Sequence, residues 1–374
     1  MRRRAKARRA LSRDRQETVK LLRDEPLAPH TTLGVGGSAA YYARAESIQD
    51  VGEAAELAHE LHEPLLVLGA GSNLVIADAG VDALVVDMAL RGRELRSESG
   101  VVRLTAAAGE DWDELVRFTT EQGLQGFECL SGIPGRVGAT PIQNVGAYGQ
   151  DVSETIQRVQ VYDRLARDVL WLERDACEFG YRDSRFKSRE PGRYVVVAVD
   201  YALAPGAPPA LRYPELLREL AKRGESSPGV GAVRSAVLAI RARKSMLLDA
   251  RDENRRSCGS FFVNPVVSAA DLERVRSRAG VDPPSYEQAD GRVKLSAAWL
   301  IERSALSRGH RAGNVGLSTR HALALVCHDG ASANELVAFA RGVQARVAEH
   351  FGVTLLPEPT LWGFSTLERG LPAS

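Results

Sequence analysis

The sequence predicts an α+β protein of more than one domain that binds a phosphorylated cofactor. Strand-like and helix-like segments are mixed along the chain, and no internal repeat is visible. The length of 374 residues exceeds what one hydrophobic core usually serves, so two or three domains are expected. Two segments, Leu68–Asn73 and Ser131–Gly149, are dense in glycine and almost free of charge.

Ser131–Gly149 differs from an ordinary connecting loop. Connecting loops face water and are usually charged and variable. A long neutral loop rich in glycine instead lets the backbone approach a large bound molecule, because its amide groups donate hydrogen bonds while side chains stay clear. The turn Gly69-Ala-Gly71, which follows a short apolar run at 65–68, has the same character. Together they indicate a chain wrapped around a phosphorylated cofactor.

The shorter segment does not fit the usual dinucleotide or triphosphate motifs. A Rossmann fingerprint needs a third glycine where this chain has Leu74, followed by a helix. Residues 73–87 contain Gly80 and no helical stripe, so a strand-loop-strand phosphate site fits better. The lysine of a P-loop is also absent, which argues against a nucleotide triphosphatase.

The other elements follow from local signals. Ser47 resembles the N-cap of an amphipathic helix that runs to about His62 and is stopped by Pro64. The stretch 204–210, rich in proline and alanine, predicts a linker. Periodicity predicts the remaining helices at 111–122, 214–223, 231–243, 295–304 and 332–350. Strands are expected at 65–68, 83–87, 101–108, 156–163, 169–173, 194–203, 260–263 and 322–327.

Charge is unevenly distributed. The net charge of +1 combines +7 over residues 1–20 with −6 over the rest. We expect residues 1–22 to be a disordered, solvated extension rather than a nucleic-acid or membrane tether, because no aromatic residues interleave with its charges. No apolar core follows the arginines and no apolar run reaches the roughly 20 residues of a membrane span, so a cytoplasmic protein is expected.

Metal and disulfide chemistry are not indicated. The four cysteines, at 129, 177, 258 and 327, are far apart and form no CxxC pair. Reduced, mostly buried thiols are therefore expected. The seven histidines do not cluster with metal-ligand spacing, and the sequence predicts no metal site.

Five segments resemble successive motifs of one family. In chain order they are Leu68–Asn73, Ser131–Gly149, Tyr181–Lys187, Gly259–Pro265 and Leu356–Pro359. The family is UDP-N-acetylenolpyruvoylglucosamine reductase, the flavoenzymes that complete UDP-N-acetylmuramate in bacterial peptidoglycan synthesis. One glycine motif would be weak evidence, but five in order, spread from about residue 30 to 363, are specific.

The resemblance implies an FAD-binding fold of the vanillyl-alcohol-oxidase type. Its two subdomains would be 30–98 and 99–203, within a FAD-binding domain at 30–203, and an α+β substrate-binding domain would occupy 211–364. FAD would bind without a covalent bond. The resemblance assigns its contacts to Gly69, Gly71, Ser72, Asn73, Ser131, Pro134, Ala139, Thr140, Gln143, Asn144, Gly146, Ala147 and Tyr148.

The resemblance also implies the reaction. NADPH reduces FAD, and hydride then passes to the vinyl carbon of an enolpyruvyl ether, so that negative charge develops towards the substrate carboxylate. By this similarity Arg182 and Glu358 stabilise that charge, Glu358 as the protonated acid, and Ser260 donates the proton. Cys258, beside Ser260, stands where a smaller or amide side chain is expected. Substrate contacts are assigned to Tyr181, Tyr213, Lys244 and Asn264.

Two alternatives stay open at this stage. Another FAD-dependent sugar or lactone oxidoreductase of the same fold class is one, although such enzymes often hold flavin through a histidine or cysteine, and neither glycine segment contains one. A non-enzymatic regulator that retains the fold is the other. The expected partner is a UDP-sugar, with no membrane and no nucleic acid, and the protein is expected to be a monomer or weak dimer. No dedicated nicotinamide domain is visible, so the sequence does not separate NADPH from NADH.

Overall fold

The computed structural model describes residues 19–98 and 100–365, and the chain divides into two compact units. The first unit comprises residues 19–25, 39–70 and 82–242. The second comprises residues 26–38, 71–81 and 243–365. Two short crossings, at 26–38 and 71–81, therefore carry N-terminal chain into the second unit.

Strands and helices alternate through both units. The strands are β1 (Leu21–Pro26), β2 (Ser38–Ala45), β3 (Leu65–Leu68), β4 (Leu74–Ile76), β5 (Val81–Met88), β6 (Arg93–Glu98), β7 (Val101–Ala107), β8 (Leu124–Gln125), β9 (Gly146–Ala147), β10 (Gln150–Asp151), β11 (Ile156–Asp163), β12 (Asp168–Glu173), β13 (Tyr194–Pro205), β14 (Ser257–Ser260), β15 (Val266–Val267), β16 (Ser285–Glu287), β17 (Val293–Leu295), β18 (Arg311–Ala312), β19 (Val315–Leu317), β20 (Ala324–Cys327) and β21 (Thr360–Trp362). The α-helices are α1 (Ile48–Leu61), α2 (Trp112–Glu121), α3 (Pro214–Lys222), α4 (Val230–Arg243), α5 (Ala269–Ala279), α6 (Ala297–Arg303) and α7 (Ala333–Phe351).

The first sheet of the first unit has the strand order β1-β2-β5-β3, with β3 and β5 parallel. Helix α1 connects β2 to β3, and its start was predicted correctly. The Ser47 side chain accepts a hydrogen bond from the Asp50 amide, and the Asp50 carboxylate accepts one from the Ser47 amide at 2.9 Å. This capping box satisfies amides that a helix start otherwise leaves without partners. The helix ends at His62, which adopts a left-handed conformation.

Strand β1 corrects the predicted N-terminal extension. It begins at Leu21, inside the stretch 1–22 that was expected to be disordered, and Val19 before it is buried in the first core. The apolar residues that close the basic arm therefore belong to the fold, because burying them beside β2 stabilises it. The rest of the predicted extension, residues 1–18, lies outside the described residues.

The second sheet of the first unit has the order β12-β11-β13-β7-β6, with β8 paired to the end of β13. Its core contains an aromatic cluster. The ring of Trp112, 1% exposed, lies 4.9 Å from that of Phe127 and 6.3 Å from that of Tyr201. The Trp112 indole also donates to the Leu130 carbonyl at 3.3 Å. This cluster fixes the point at which the segment Ser131–Gly149 begins.

Helices α3 and α4 belong to the first unit, whereas the sequence placed them after the domain boundary. Their apolar faces, including Leu216 and Val237, bury the side chain of Cys129 in a separate small core. The proline-rich stretch predicted as a linker from residue 204 also begins later, since Ala204 and Pro205 still pair with β8. The composition of this stretch predicted a loop, but it could not show which hydrophobic core helices α3 and α4 pack against.

The second unit is built around α7, whose residues Leu336, Val343 and Phe351 are buried. The antiparallel sheet β14-β20-β19-β18 contributes to this unit, and a smaller sheet has the order β15-β17-β16. Strands β21 and β4 form a parallel pair. That pair brings residues 360–362 alongside residues 74–76.

The strand predicted at 260–263 lies earlier in the chain, at Ser257–Ser260. The register with β20 shifts between Ser257 and Ser260, and Gly259 has a φ of 76° in the left-handed region. The Phe261 amide still donates to the Leu323 carbonyl, just before β20, at 2.8 Å, but the Val263 amide donates to the Leu356 carbonyl at 3.0 Å. A bulge of this kind is not visible in an apolar run such as Phe261-Phe262-Val263.

The buried thiols of the first unit predict a loss of stability at alkaline pH. Burial raises the pKa of Cys129 and of Cys177 to about 12. An unfolded thiol titrates near pH 8.5, so between about pH 8.5 and 12 the native state binds more protons than the unfolded state. The free energy of unfolding should therefore fall as pH rises, by up to about 1.4 kcal/mol per pH unit for each thiol. Urea titrations at several pH values under reducing conditions measure this slope.

The variant Cys177→Ala removes one of these two thiols and should give a shallower slope than the wild type. Identical slopes for variant and wild type would contradict the assignment.

Candidate active site

The turn after β3 contains two glycines, one at a position where only glycine fits and one at a position with space for a side chain. Gly71 has a φ of 60°, and a Cβ added there would lie 2.0 Å from the carbonyl oxygen of His30. A Cβ added at Gly69 would meet no atom within 4 Å. The backbone thus leaves open space beside Gly69, whereas close packing holds it at Gly71. Strands β4 and β5 follow with no helix between them, which confirms the predicted strand-loop-strand arrangement.

Residues before and after this turn are tied to it within the second unit. The Thr32 amide donates to the Gly71 carbonyl at 3.2 Å. The Thr32 hydroxyl is buried and has no hydrogen-bond partner in the part of the chain that the structure describes. Ser72 and Asn73 are half-buried, and the Asn73 side-chain amide donates to the Glu358 carbonyl at 3.4 Å.

The segment Ser131–Gly149 is anchored at several points by its own polar side chains. Ser131 is fully buried and donates to the Glu128 carbonyl at 2.7 Å. The Thr140 hydroxyl donates to the Val137 carbonyl at 2.8 Å. Asn144, in the left-handed region, donates to the Gly180 carbonyl at 2.9 Å. The other assigned cofactor residues are half-buried, except that Ala139 is exposed; they are Pro134, Gln143, Gly146, Ala147 and Tyr148.

The segment Ser131–Gly149 presents no unbalanced charge. Its one charged residue, Arg136, forms an ion pair at 2.9 Å with Asp87, which is buried, although the angle is not that of a hydrogen bond. The Asp87 carboxylate also contacts Arg44 at 3.2 Å. The positive charge of Arg136 is therefore compensated inside the protein rather than offered to a ligand.

The sequence analysis missed Arg241, which supports this segment. Its buried guanidinium donates to the Gly132 carbonyl at 3.2 Å and hydrogen-bonds the Tyr148 hydroxyl. Burial lowers the pKa of Arg241, and the neighbouring Tyr148 and Asp113 partly offset that effect. Burial also raises the pKa of Tyr148 to about 12, which keeps its phenol neutral at physiological pH.

A second arginine on α4 completes this support. Arg234 contacts both carboxylate oxygens of Asp113, at 2.6 and 2.9 Å, and Asp113 also accepts from the Gly132 amide. Burial alone would raise the pKa of Asp113, but the hydrogen bonds from Arg234 and Gly132 outweigh it and lower the pKa. Arg234 and Arg241 stand seven residues apart on one helical face, a spacing that could have drawn attention to them.

Arg182 lies against the same segment of the first unit. Its guanidinium donates to the carbonyls of Asn144, at 3.3 Å, and of Gly146, and it lies 3.5 Å from a carboxylate oxygen of Asp151. The ring of Tyr181, an exposed residue, lies 5.2 Å from the guanidinium carbon. Tyr213 packs edge-on against Tyr148, with ring centroids 5.4 Å apart. Three residues predicted to contact substrate or carry charge thus adjoin the predicted cofactor segment.

Ser260 and Glu358 are brought together in the second unit. Ser260 pairs with Ala324, and the carbonyl of Phe261, the next residue, accepts a hydrogen bond from the Glu358 amide at 2.8 Å. Burial raises the pKa of Cys258, and the nearby Cys327 and Glu358 raise it further. The residue beside the predicted proton donor is therefore a neutral, buried thiol.

The two remaining predicted substrate residues also lie in the second unit. The Asn264 side-chain oxygen accepts from the Ala297 amide at 2.9 Å, which helps to cap helix α6. Lys244 follows the last residue of α4 and is half-buried.

These features fit a flavin dinucleotide. Neutral segments without an uncompensated carboxylate suit a negatively charged pyrophosphate. The open space beside Gly69 provides room for such a group. In the second unit, the buried Thr32 hydroxyl, which has no hydrogen-bond partner among the described residues, provides a donor. The glycine-rich run that contains Thr32, residues 30–37, was the signal in the sequence that could have identified it.

Neither a membrane span nor a metal centre is seen in residues 19–98 and 100–365. No helix in those ranges is long and apolar enough to cross a membrane. Nor do three or more histidine, cysteine or acidic side chains there gather in a way that could hold a metal ion.

Comparison with known proteins identifies two matched regions. Residues 39–166 match the family model described as FAD binding domain, and residues 251–362 match that described as UDP-N-acetylenolpyruvoylglucosamine reductase, C-terminal domain. Curated relatives match along most of the chain. The UDP-N-acetylenolpyruvoylglucosamine reductase of Thermobifida fusca is 45% identical, with 92% of this chain and 99% of that protein covered. That of Saccharopolyspora erythraea is 47% identical, with 90% and 94% covered.

A solved structure shares the fold. The crystal structure of UDP-N-acetylenolpyruvylglucosamine reductase from Thermus caldophilus superposes with a TM-score of 0.63 at 24% identity, covering 92% of this chain and 98% of that one. The predicted fold class, a FAD-binding α+β fold of the vanillyl-alcohol-oxidase type followed by a C-terminal α+β domain, is confirmed by this structure and the two family models.

Alanine substitutions at the two glycines of the turn should separate folding from cofactor binding. Gly71→Ala forces a Cβ against the His30 carbonyl and should lower the free energy of unfolding by more than about 1 kcal/mol. Gly69→Ala meets open space and should fold normally, but its methyl group should weaken FAD retention by occupying that space. Urea unfolding and the flavin content after dialysis give the two readouts.

Full flavin retention in a well-folded Gly69→Ala variant would contradict a cofactor role for the space at Gly69.

Proposed function

The chain belongs to the UDP-N-acetylenolpyruvoylglucosamine reductase family, and from this we propose that it reduces UDP-N-acetylglucosamine enolpyruvate to UDP-N-acetylmuramate with NADPH and FAD. The reaction belongs to peptidoglycan synthesis, and we place it in the cytoplasm, in support of cell-wall growth, cell shape and division. The observation that carries the proposal is the hydrogen bond from the Glu358 amide to the carbonyl of Phe261, the residue after Ser260, since it joins the two chain segments that carry the proposed acid and the proposed proton donor.

The cofactor would be held by the main chain of the two glycine segments. Gly69, Ser72, Asn73 and the buried Thr32 hydroxyl are proposed to contact its pyrophosphate region. The stretch from Gln143 to Tyr148 is proposed to contact the ring system, in a position fixed by Arg241 and Asp113. Bound there, FAD would supply the hydride chemistry that links NADPH to the vinyl carbon of the substrate.

Arg182 is proposed to bind the carboxylate of the enolpyruvyl group. A guanidinium stays charged at every physiological pH and offers paired donors to a carboxylate. Its contacts with the carbonyls of Asn144 and Gly146 hold it in place, and the carboxylate of Asp151, 3.5 Å away, balances only part of its charge because the Asp151 side chain is 45% exposed. Negative charge that develops on the substrate carboxylate is thereby stabilised by a fixed cation, which requires no rearrangement during the reaction.

Ser260 is proposed to donate the proton that completes the reduction, and Glu358 to stabilise the enol form of the substrate. A serine hydroxyl is a weak acid, so it needs a strongly basic carbon next to it and a neighbour that shares the charge. Glu358 can share it as a protonated acid, because prolines on both sides restrict its backbone and the residue is half-buried, with its amide bonded to the fully buried Phe261.

Tyr181, Tyr213, Lys244 and Asn264 are proposed to bind the UDP-sugar. Lys244 supplies a cation for the diphosphate, and the tyrosines supply flat surfaces with a hydroxyl at one end. The side-chain amide hydrogens of Asn264 can donate to the nucleotide while its oxygen remains bonded to Ala297.

Loss of the Ser260 hydroxyl should separate the two half-reactions. In Ser260→Ala, reduction of bound flavin by NADPH should proceed at the wild-type rate, because no proton donor to the substrate is needed. Reoxidation by the enolpyruvyl substrate should slow by about 10²–10⁴-fold. Anaerobic stopped-flow absorbance of the flavin measures each half separately.

The matched control is Ser257→Ala, which removes a half-buried hydroxyl from the same strand and should leave both rates unchanged. Equal slowing of both half-reactions in Ser260→Ala would mean that Ser260 has a structural role only.

Glu358→Gln should also slow the second half-reaction selectively, by about tenfold or more, because the amide keeps the volume of the side chain but cannot share an acidic proton. The exposed Glu349 on α7 offers a control, and Glu349→Gln should behave as the wild type. A wild-type rate of flavin reoxidation in Glu358→Gln would remove Glu358 from the mechanism.

A further inference from the structure

A cavity of about 390 Å³ lies within the first unit, apart from every residue proposed for FAD or substrate. Helix α1 forms one wall, the turn between β11 and β12 forms the second, and the loop before β13 forms the third. The residues that determine its charge are Glu56 and His59 on the helix, Arg164 and Arg167 in the turn, and Arg193 at the end of the loop.

The charge of Arg193 is satisfied inside the protein. Its guanidinium contacts Asp163 at 2.6 Å and also pairs with Glu190. Asp163 is 1% exposed and accepts from the Leu165 amide at 2.9 Å, so the same carboxylate holds the turn that carries the other two arginines. This network holds the wall of the cavity that contains Arg193 in place, and the two carboxylates balance the positive charge of Arg193.

Arg164 and Arg167 are not satisfied in this way. Among the described residues, neither guanidinium has a carboxylate oxygen within the 4.0 Å of an ion pair. Arg164 is half-buried and donates to the Gly192 carbonyl at 2.6 Å. A guanidinium carries five N–H donors, so this contact fixes the group across the cavity but uses only part of its capacity. Burial lowers the pKa of Arg164, and none of the groups that act on it is a carboxylate.

The remaining wall sets the size and nature of a ligand. Glu56 is the one carboxylate that lines the cavity, and it is exposed to solvent. Leu165, 76% exposed, and the largely buried ring of Tyr162 add apolar surface. The volume falls within the range of small-molecule sites, which is larger than an inorganic anion needs.

We propose that this cavity is a binding site for an organic phosphate, separate from the site of catalysis. Two guanidinium groups, of which that of Arg164 is held by the Gly192 carbonyl, match the charge of a phosphate dianion, which each can contact through two donors. The apolar surface of Leu165 and Tyr162 covers the organic part of the ligand. The ligand class is a phosphate monoester of a small polar metabolite.

The test uses the intact holoenzyme and three probes: glucose 6-phosphate, inorganic phosphate and glucose. Isothermal titration calorimetry at low ionic strength should show saturable binding of glucose 6-phosphate at a dissociation constant of about 1 mM or below. Inorganic phosphate should bind more weakly and compete, and glucose should not bind. The absorption spectrum of the flavin should not change, because the cavity is apart from the cofactor segments.

Four variants should change the affinity for glucose 6-phosphate in different directions. Arg164→Gln and Arg167→Gln should each weaken the binding of glucose 6-phosphate by about tenfold or more, since each loses a charge-assisted contact. Glu56→Gln should tighten it severalfold, because it removes the opposing charge. Arg218→Gln, an exposed arginine on α3, should leave it unchanged. Basal turnover should be the same in all four.

Three results would overturn the proposal: no saturable binding of either phosphate to the wild type, equal binding of glucose, or an effect of Arg218→Gln as large as that of Arg164→Gln. The last would show general attraction to a basic surface. Arg167 is exposed, so its variant should fold normally and keeps the test decisive if Arg164→Gln does not fold.

Discussion

The hydrogen bond from the Glu358 amide to the Phe261 carbonyl, with the parallel pairing of β21 and β4, organises the second unit. Asn73 and Glu358 are 285 residues apart in sequence, yet the Asn73 side chain donates to the Glu358 carbonyl. Three of the five motifs recognised in the sequence thereby become neighbours. If this pairing did not form, Ser260 and Glu358 would share no surroundings, and the proposed proton transfer would have no structural basis.

In the first unit, charged side chains hold the segment Ser131–Gly149 in position. Arg241 and Asp113 bond its start at Gly132, and Arg182 bonds carbonyls further along it. A buried guanidinium costs free energy unless it is paired and hydrogen-bonded. Here that cost is offset by contacts with the loop that we propose as part of the cofactor site. A rigid loop of this kind loses little further entropy when it binds a ligand.

Sequence reasoning was most successful where the deciding contacts are local. The capping box at Ser47 and the strand-loop-strand that replaces a Rossmann helix after Asn73 are visible within a few residues. The glycine segments also stand out by local composition, because backbone that approaches a ligand favours glycine, and their contacts with the cofactor stay a prediction. Order along the chain then made the family recognisable.

The sequence could not show features that depend on distant partners. Arg241 looks like a solvated position on an arginine-rich helix until Gly132 and Tyr148 surround it. Helices α3 and α4 join the first unit because Cys129 lies beneath them, which no local pattern indicates. The shift of strand β14 arises from a bulge that only its pairing with β20 reveals. In each case the deciding energy comes from tertiary contacts and not from local preference.

The most direct test of the central claim is the visible absorption spectrum of the purified protein under anaerobic conditions, recorded before and after NADPH and then after the enolpyruvyl sugar nucleotide. The account predicts a flavin spectrum that NADPH bleaches and the sugar nucleotide restores, with all flavin released into the supernatant on acid precipitation. A colourless protein that FAD cannot reconstitute would contradict it, as would flavin that NADPH reduces but only oxygen reoxidises.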